Sequence, residues 1–196
     1  MASAKLQTTH LILTPKAPFN FQHTLNFLSD YKASGITIKT LENELRFALN
    51  VSGQPVAFFI KSKGRKLELT LHAQSLNDEI IRAAKEQIIF YLSLDDDLKP
   101  FYKIAEKDDA FKPILKALYG YHQVKFPRLF TCICWALVTQ RTPNRFAYLT
   151  MQRFCELLGG VITVDGETYT TFPEAKDFLG SSDQVFIATN NTRKTD

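Results

Sequence analysis

A chain of 196 residues, 45% hydrophobic and 22% charged, has the composition of an ordinary globular protein and is long enough to bury most of its apolar surface in one domain or two. The first ten residues hold no apolar run of signal-peptide length, and nothing later approaches the roughly 18 apolar residues of a membrane span, so no membrane contact is expected. Cys132, Cys134 and Cys155 make neither a paired framework nor a zinc spacing; buried free thiols in an intracellular, reducing compartment are the expectation.

In chain order, residues 11–13 form a short apolar run that ends at Thr14-Pro15. Phe21, Leu25 and Leu28 then recur at helical spacing behind Asn20, a suitable N-cap. Three period-two stretches follow: Leu45, Phe47, Leu49 and Val51; Val56, Phe58 and Ile60; Leu67, Leu69 and Leu71. Gly53 and Gly64 fall in their connections, which predicts an antiparallel meander. Ile80, Ile81, Ala84, Ile88 and Leu92 predict a helix behind Asn77 that covers this sheet.

The run Asp95-Asp96-Asp97 reads as a boundary and as the start of a new helix, where carboxylates complement the helix dipole. Beyond it the pattern is helical. Leu98, Phe101, Tyr102 and Ala105 give one face, and Ile114, Leu115 and Leu118 a second. A third comprises Phe130, Ile133, Cys134, Leu137 and Val138. Thr142-Pro143 supplies an N-cap and a first-turn proline for a fourth helix, with Phe146, Leu149, Phe154 and Leu157 inward and a stop at Gly159-Gly160. The fold class is α+β: a small antiparallel sheet domain with helices over residues 1–94, then an all-helical unit over 95–196.

Residues 110–155 contain no Asp or Glu, yet carry Lys112, Lys116, Lys125, Arg128, Arg141, Arg145 and Arg153. The whole chain has a net charge of only +4, so positive charge is gathered here, as on a surface facing a polyanion. A solvated face with a chance gap in acids has the same pattern. Inside this window two helices meet at Thr139-Gln140-Arg141-Thr142, a turn short enough to aim its side chains away from both. The following helix offers free N–H groups to a phosphate oxygen, and Arg141 and Arg145 lie one helical turn apart. Gln140 has the reach and amide chemistry to replace base-pair hydrogen bonds; it is equally able to cap the preceding helix. His10, His23, His72 and His122 are scattered and make no metal or triad arrangement.

The stretch FPRLFTCICWALVTQRTPNRFAYLTMQRFCELLGG, residues 126–160, resembles the start of the helical core of the helix-hairpin-helix base-excision DNA glycosylases, above all the 3-methyladenine DNA glycosylase II type. Gln140 and Gly159 stand where that family has a recurrent Gln and Gly. Residues 168–179, TYTTFPEAKDFL, are similar to its Phe-Pro segment. The closing ATNNTRKTD resembles a turn that carries a basic residue, here Arg193 or Lys194, and residues 94–108 are similar to its linker helix.

The resemblance implies an enzyme that flips a damaged base out of double-stranded DNA, at a cost of roughly a few kcal/mol, and hydrolyses its N-glycosidic bond. Gln140 or Arg141 would be the wedge, with Thr142, Arg145, Arg193 and Lys194 also on the DNA. Trp135 would be a base-pocket residue, since electron-poor alkylated purines stack well on aromatic rings; a buried core Trp is the other reading. No cofactor is implied, and a monomer in the bacterial cytoplasm, working at the nucleoid, is expected. The family's Gly-rich hairpin and its catalytic Asp do not occur, and Asp165, Asp177, Asp183 and Asp196 lie in no matching context. The expected Asp would lie beyond Asp196. This chain by itself is therefore expected to be inactive and marginally stable, with apolar faces uncovered around Phe178, Val185 and Ile187. The alternatives are an oxidised-purine glycosylase with a Lys nucleophile, a non-enzymatic DNA-binding module, and a structural domain facing a partner protein.

Overall fold

The computed structural model describes residues 5–179 and 181; Asp183, Val185, Ile187, Arg193, Lys194 and Asp196 of the expectations above lie outside them. Its centre is a five-stranded antiparallel sheet in the order β1-β5-β4-β3-β2, built from β1 (Gln7–Leu13), β2 (Ile38–Leu41), β3 (Glu44–Val51), β4 (Gln54–Lys63) and β5 (Lys66–Ala73). The three alternating stretches are β3 to β5, and register places Phe47 opposite Phe58, and Leu69 opposite Ile60. Period-two spacing puts these residues on one face, where α1 (Phe21–Asp30) and α2 (Asp78–Tyr91) bury them with Leu25, Leu28, Ile80, Ala84 and Ile88. Asn20 and Asn77 cap these helices as expected, accepting hydrogen bonds from the N–H groups of Gln22 and Ile80. β2, short and only half-buried, carries no alternation that sequence reading detected.

The second half departs from an all-helical unit. After α3 (Lys99–Ala105), α4 (Lys112–Ala117), α5 (Leu129–Val138) and α6 (Asn144–Leu158), the chain forms a hairpin of β6 (Val161–Val164) and β7 (Glu167–Thr170), then α7 (Ala175–Leu179). The two-residue turn Asp165-Gly166 has both residues at positive φ, 51° and 79°, the conformation that hairpins of this length require. This hairpin lies against β3 and β4 on the sheet face opposite α1 and α2. Ala48 and Ala57, paired across those strands, leave room for it, and Phe59, Ile162, Val164 and Tyr169 close a second small core. The sheet is thus covered on both faces there.

A charged clasp holds the hairpin down. Arg46 bridges Glu44 (Nε–Oε1 2.8 Å) and Glu167 (Nη1–Oε2 3.6 Å), and its guanidinium carbon sits 4.7 Å from the centre of the Phe59 ring. Lys39 reaches Glu167 at 3.0 Å, and the Tyr169 hydroxyl donates to it at 2.6 Å. Burial opposes the charge on Glu44, yet Arg46 and Lys61 hold its carboxyl below the ordinary range; the Tyr169 and Lys39 hydrogen bonds do the same for Glu167.

Several expected faces are corrected. The acidic run does stand at the start of a helix, and Asp97 accepts from the N–H of Lys99, the first residue of α3; the difference is that no acid lies within its first turn, and Asp96 and Asp97 also pair with Lys125 and Lys16. Ile114 and Leu118 are exposed, and α4 buries none of its residues. α5 turns Phe130, Cys134, Trp135 and Val138 to the core and leaves Ile133 and Leu137 in water, because a helix apolar on all sides gives no periodic signal of its inner face. α6 buries Ala147, Met151, Phe154 and Cys155, while Leu149 and Leu157 are exposed. Of the thiols only Cys155 is fully buried. Phe178, expected bare, packs on Phe130, Phe154 and Phe172.

Gly35 joins the two halves. Its φ is +70°, and a Cβ there would stand 2.4 Å from the Met151 carbonyl oxygen of α6. Gly35→Ala is predicted to lower stability by about 2–4 kcal/mol, from left-handed strain plus backbone overlap, in a urea titration. Glu44 and Glu167 titrate below their usual 4.5 when folded, so what they add to stability is whole above that pH and drains away as pH falls beneath it. Hydrogen exchange of the β6–β7 amides should accelerate on acidification, relative to β3–β5, and Glu167→Gln should weaken that pH dependence.

Candidate nucleic-acid interface

α5 ends at Val138 and α6 begins at Asn144, so the junction is an elbow of five residues. The Thr139 hydroxyl donates back to the Trp135 carbonyl at 2.9 Å, closing α5, and the Gln140 N–H donates to Leu137 O at 3.3 Å. The backbone then reverses at Arg141, which has φ +54° despite carrying a side chain. Such a conformation costs about 1–2 kcal/mol and is confined to places where surroundings impose it. Thr142 is not the N-cap expected of it. Its hydroxyl donates to Gln140 O at 3.2 Å, and Pro143 takes the cap position, just outside the helix rather than in its first turn. Among the described residues no side chain caps α6, so the N–H groups that open it donate to no side-chain partner there. Gln140, Arg141 and Arg145 are exposed.

The acid-free window is less cationic in space than in sequence. Acids from outside it reach in: Asp109 pairs with Lys112 at 2.5 Å, Asp96 with Lys125 at 2.9 Å, Glu156 with Arg153 at 2.9 Å and Glu174 with Arg128 at 3.6 Å. Among the described residues no acid pairs with Lys116, Arg141 or Arg145. Within this window the surplus charge is thus Lys116 in α4, and Arg141 and Arg145 at the elbow and in the first turn of α6.

Beside the elbow lies an open cavity of about 690 Å³ between α6 and the loop that joins α1 to β2. Arg145, Tyr148 and Glu156 line it from α6, and Tyr31, Lys32 and Gly35 from the loop. Trp135 does not line it; its ring stacks on Tyr148, 5.0 Å between centroids at 12°, and packs against the core. Tyr31 is stacked on Phe27 at 4.9 Å, and burial, helped by nearby Cys132 and Tyr148, pushes its phenol pKa up. Glu156, the acid of this wall, accepts from Gln152 at 2.9 Å besides its pair with Arg153. Sequence reasoning missed Tyr31, Lys32 and Tyr148. The signal for Tyr148 was its spacing, one turn beyond Arg145; nothing local marks Tyr31. Among the described residues no group of three His, Cys, Asp or Glu is placed to hold a metal ion.

The five-stranded antiparallel sheet followed by a mainly helical second half is a fold shared with solved DNA glycosylases. The 3-methyladenine DNA glycosylase of Archaeoglobus fulgidus superposes with a TM-score of 0.74 at 14% identity, over 93% of this chain and 61% of that one. The 8-oxoguanine glycosylase/lyase of Clostridium acetobutylicum, solved with double-stranded DNA containing cytosine opposite 8-oxoguanine, superposes at 0.51 with 11% identity, over 78% of this chain and 59% of that one. No protein-family model matches the sequence. In sequence, the chain is 34% identical over 106 residues to the DNA-3-methyladenine glycosylase of Bacillus subtilis, which makes it a DNA glycosylase homologue in that stretch. The matched stretch is 51% of this chain and 35% of that protein, so the chain matches about a third of its curated relative.

Arg141→Gly removes the left-handed strain, and is predicted to raise stability by about 1 kcal/mol in a denaturant titration, since Gly adopts positive φ freely. A loss of stability would show that the Arg141 side chain holds the elbow together.

Proposed function

We propose that this chain is the part of a helix-hairpin-helix base-excision glycosylase that opens damaged DNA, with alkylated purines as its lesions. The elbow carries the reading: it is exposed and cationic, and stands beside a cavity with aromatic rings. In this account Gln140 and Arg141 enter the duplex and fill the space of the extruded nucleotide. Arg145 and the leading N–H groups of α6 hold the neighbouring phosphates, and Thr142 steadies the turn. Arg193 and Lys194, outside the described residues, are proposed as further backbone contacts. The base moves into the cavity, where Tyr148 presents its ring with Trp135 stacked behind it. An alkylated, electron-poor purine gains most from such a surface.

Breaking the glycosidic bond through a cation-like sugar needs a carboxylate beside it. Glu156 lines the cavity, but its oxygens are engaged by Gln152 and Arg153. We therefore assign no catalytic residue, and this chain by itself is proposed to bind and open DNA without releasing base. It is taken to act as a monomer in the cytoplasm.

Three experiments test this. With about three phosphates contacted, log K for duplex DNA should fall with log salt at a slope near −3; a flat response removes DNA from the account. Gln140→Ala should weaken binding to abasic-site DNA by about tenfold and leave intact duplex nearly unaffected, as expected of roughly one lost buried hydrogen-bonding group. An equal loss on both would refute a wedge, and base release from alkylated DNA by the unaided chain would refute the assignment of no catalytic group.

A further inference from the structure

The loop between α1 and β2 belongs to the N-terminal half, which the functional reading above leaves as scaffold. It is nevertheless fixed against α6. Gly35 approaches the Met151 carbonyl too closely for any side chain, and the Cys155 thiol lies 3.9 Å from Ser34 O. Just before this anchor, Tyr31 and Lys32 turn into the same cavity as Arg145 and Tyr148. Tyr31 is held by Phe27 at 4.9 Å and by Phe126 at 5.9 Å, edge to face, so its ring is already ordered. Lys32 is exposed, and among the described residues no carboxylate pairs with it.

We propose that this loop is part of the nucleotide-binding machinery: Tyr31 joins Tyr148 in the aromatic wall that receives the extruded base, and Lys32 neutralises the phosphate of that same nucleotide. The inference rests on the functional reading above. Its physical basis is that a ring ordered beforehand loses little freedom on stacking, and that a nucleotide rotated into the cavity brings its own phosphate with it to the wall that Lys32 lines. Lys32 is then a contact made only after extrusion, whereas Arg141 and Arg145 also meet intact duplex.

The test uses the 196-residue chain and two duplexes, one fully paired and one carrying 2-aminopurine in a mismatch, whose fluorescence rises when it leaves the stack. Lys32→Ala should weaken binding to the mismatched duplex by about fivefold to tenfold and make its salt slope shallower by about 0.9, with little change on paired DNA; Lys32→Arg should restore both. Tyr31→Leu should weaken binding to the mismatched duplex by about fivefold with little change on paired DNA, as expected of roughly one lost stacking contact, and Tyr31→Phe should keep the native affinity. If Tyr31→Leu loses its circular dichroism, the Lys32 pair still decides. An equal loss on both duplexes, or none on either, overturns the inference while the glycosylase reading stands. Failure of the native chain to bind either duplex removes that reading and this inference together.

Discussion

The seating of α6 in the main core is the contact on which the remainder of this molecule depends. Its inner face buries Ala147 and sets Met151, Phe154 and Cys155 in the main core, and its carbonyl at Met151 is where Gly35 touches. One helix therefore fixes the elbow at its N-terminus, the cavity along its flank and the hairpin beyond its C-terminus. There Gly159 closes on the Thr171 carbonyl so tightly that a Cβ would lie 2.1 Å from it. Movement of α6 by even part of a turn would misplace all three at once. Burial sets the position and glycine permits the approach.

Charge is distributed by the same logic. The acid-free window is neutralised over much of its length by carboxylates brought in by folding, Asp96 from before α3 and Glu174 from before α7. The cations left at the elbow are those that pair with no carboxylate among the described residues. A surface Lys–Asp pair is worth little to stability, so these pairs matter more for where they remove positive field than for the fold. What remains is a local, directional cation set rather than a basic face.

Much of the fold was legible before the structure. Residues such as Phe47, Phe58 and Leu69 alternate strictly, and Asn20 and Asn77 stand where helix caps belong, so the sheet domain could be read from spacing. The hairpin β6–β7 is also written in the chain, as Asp165-Gly166 between alternating residues, but its strands are four residues each and carry a weaker pattern than the helical spacing around them. The inner face of α5 was not legible: with Leu129, Ile133 and Leu137 outside and Phe130, Cys134 and Val138 inside, both sides are apolar. Of the site, Gln140, Arg141 and Arg145 followed from a helix break among basic residues. Tyr31 and Lys32 did not, because they reach the cavity only through the long-range contact between Gly35 and α6.

The outer row of α5 carries a practical consequence. Leu129 is 75% exposed and Leu137 61%, with Ile133 between them, a contiguous oily strip of the kind that solvatochromic dyes occupy. Such a dye would glow on the native protein, and a dye-reported melt would begin from a bright baseline that conceals the transition. Emission from the lone indole, stacked on Tyr148 and leaning on the core, is the better reporter, because it registers the helix that aims the elbow.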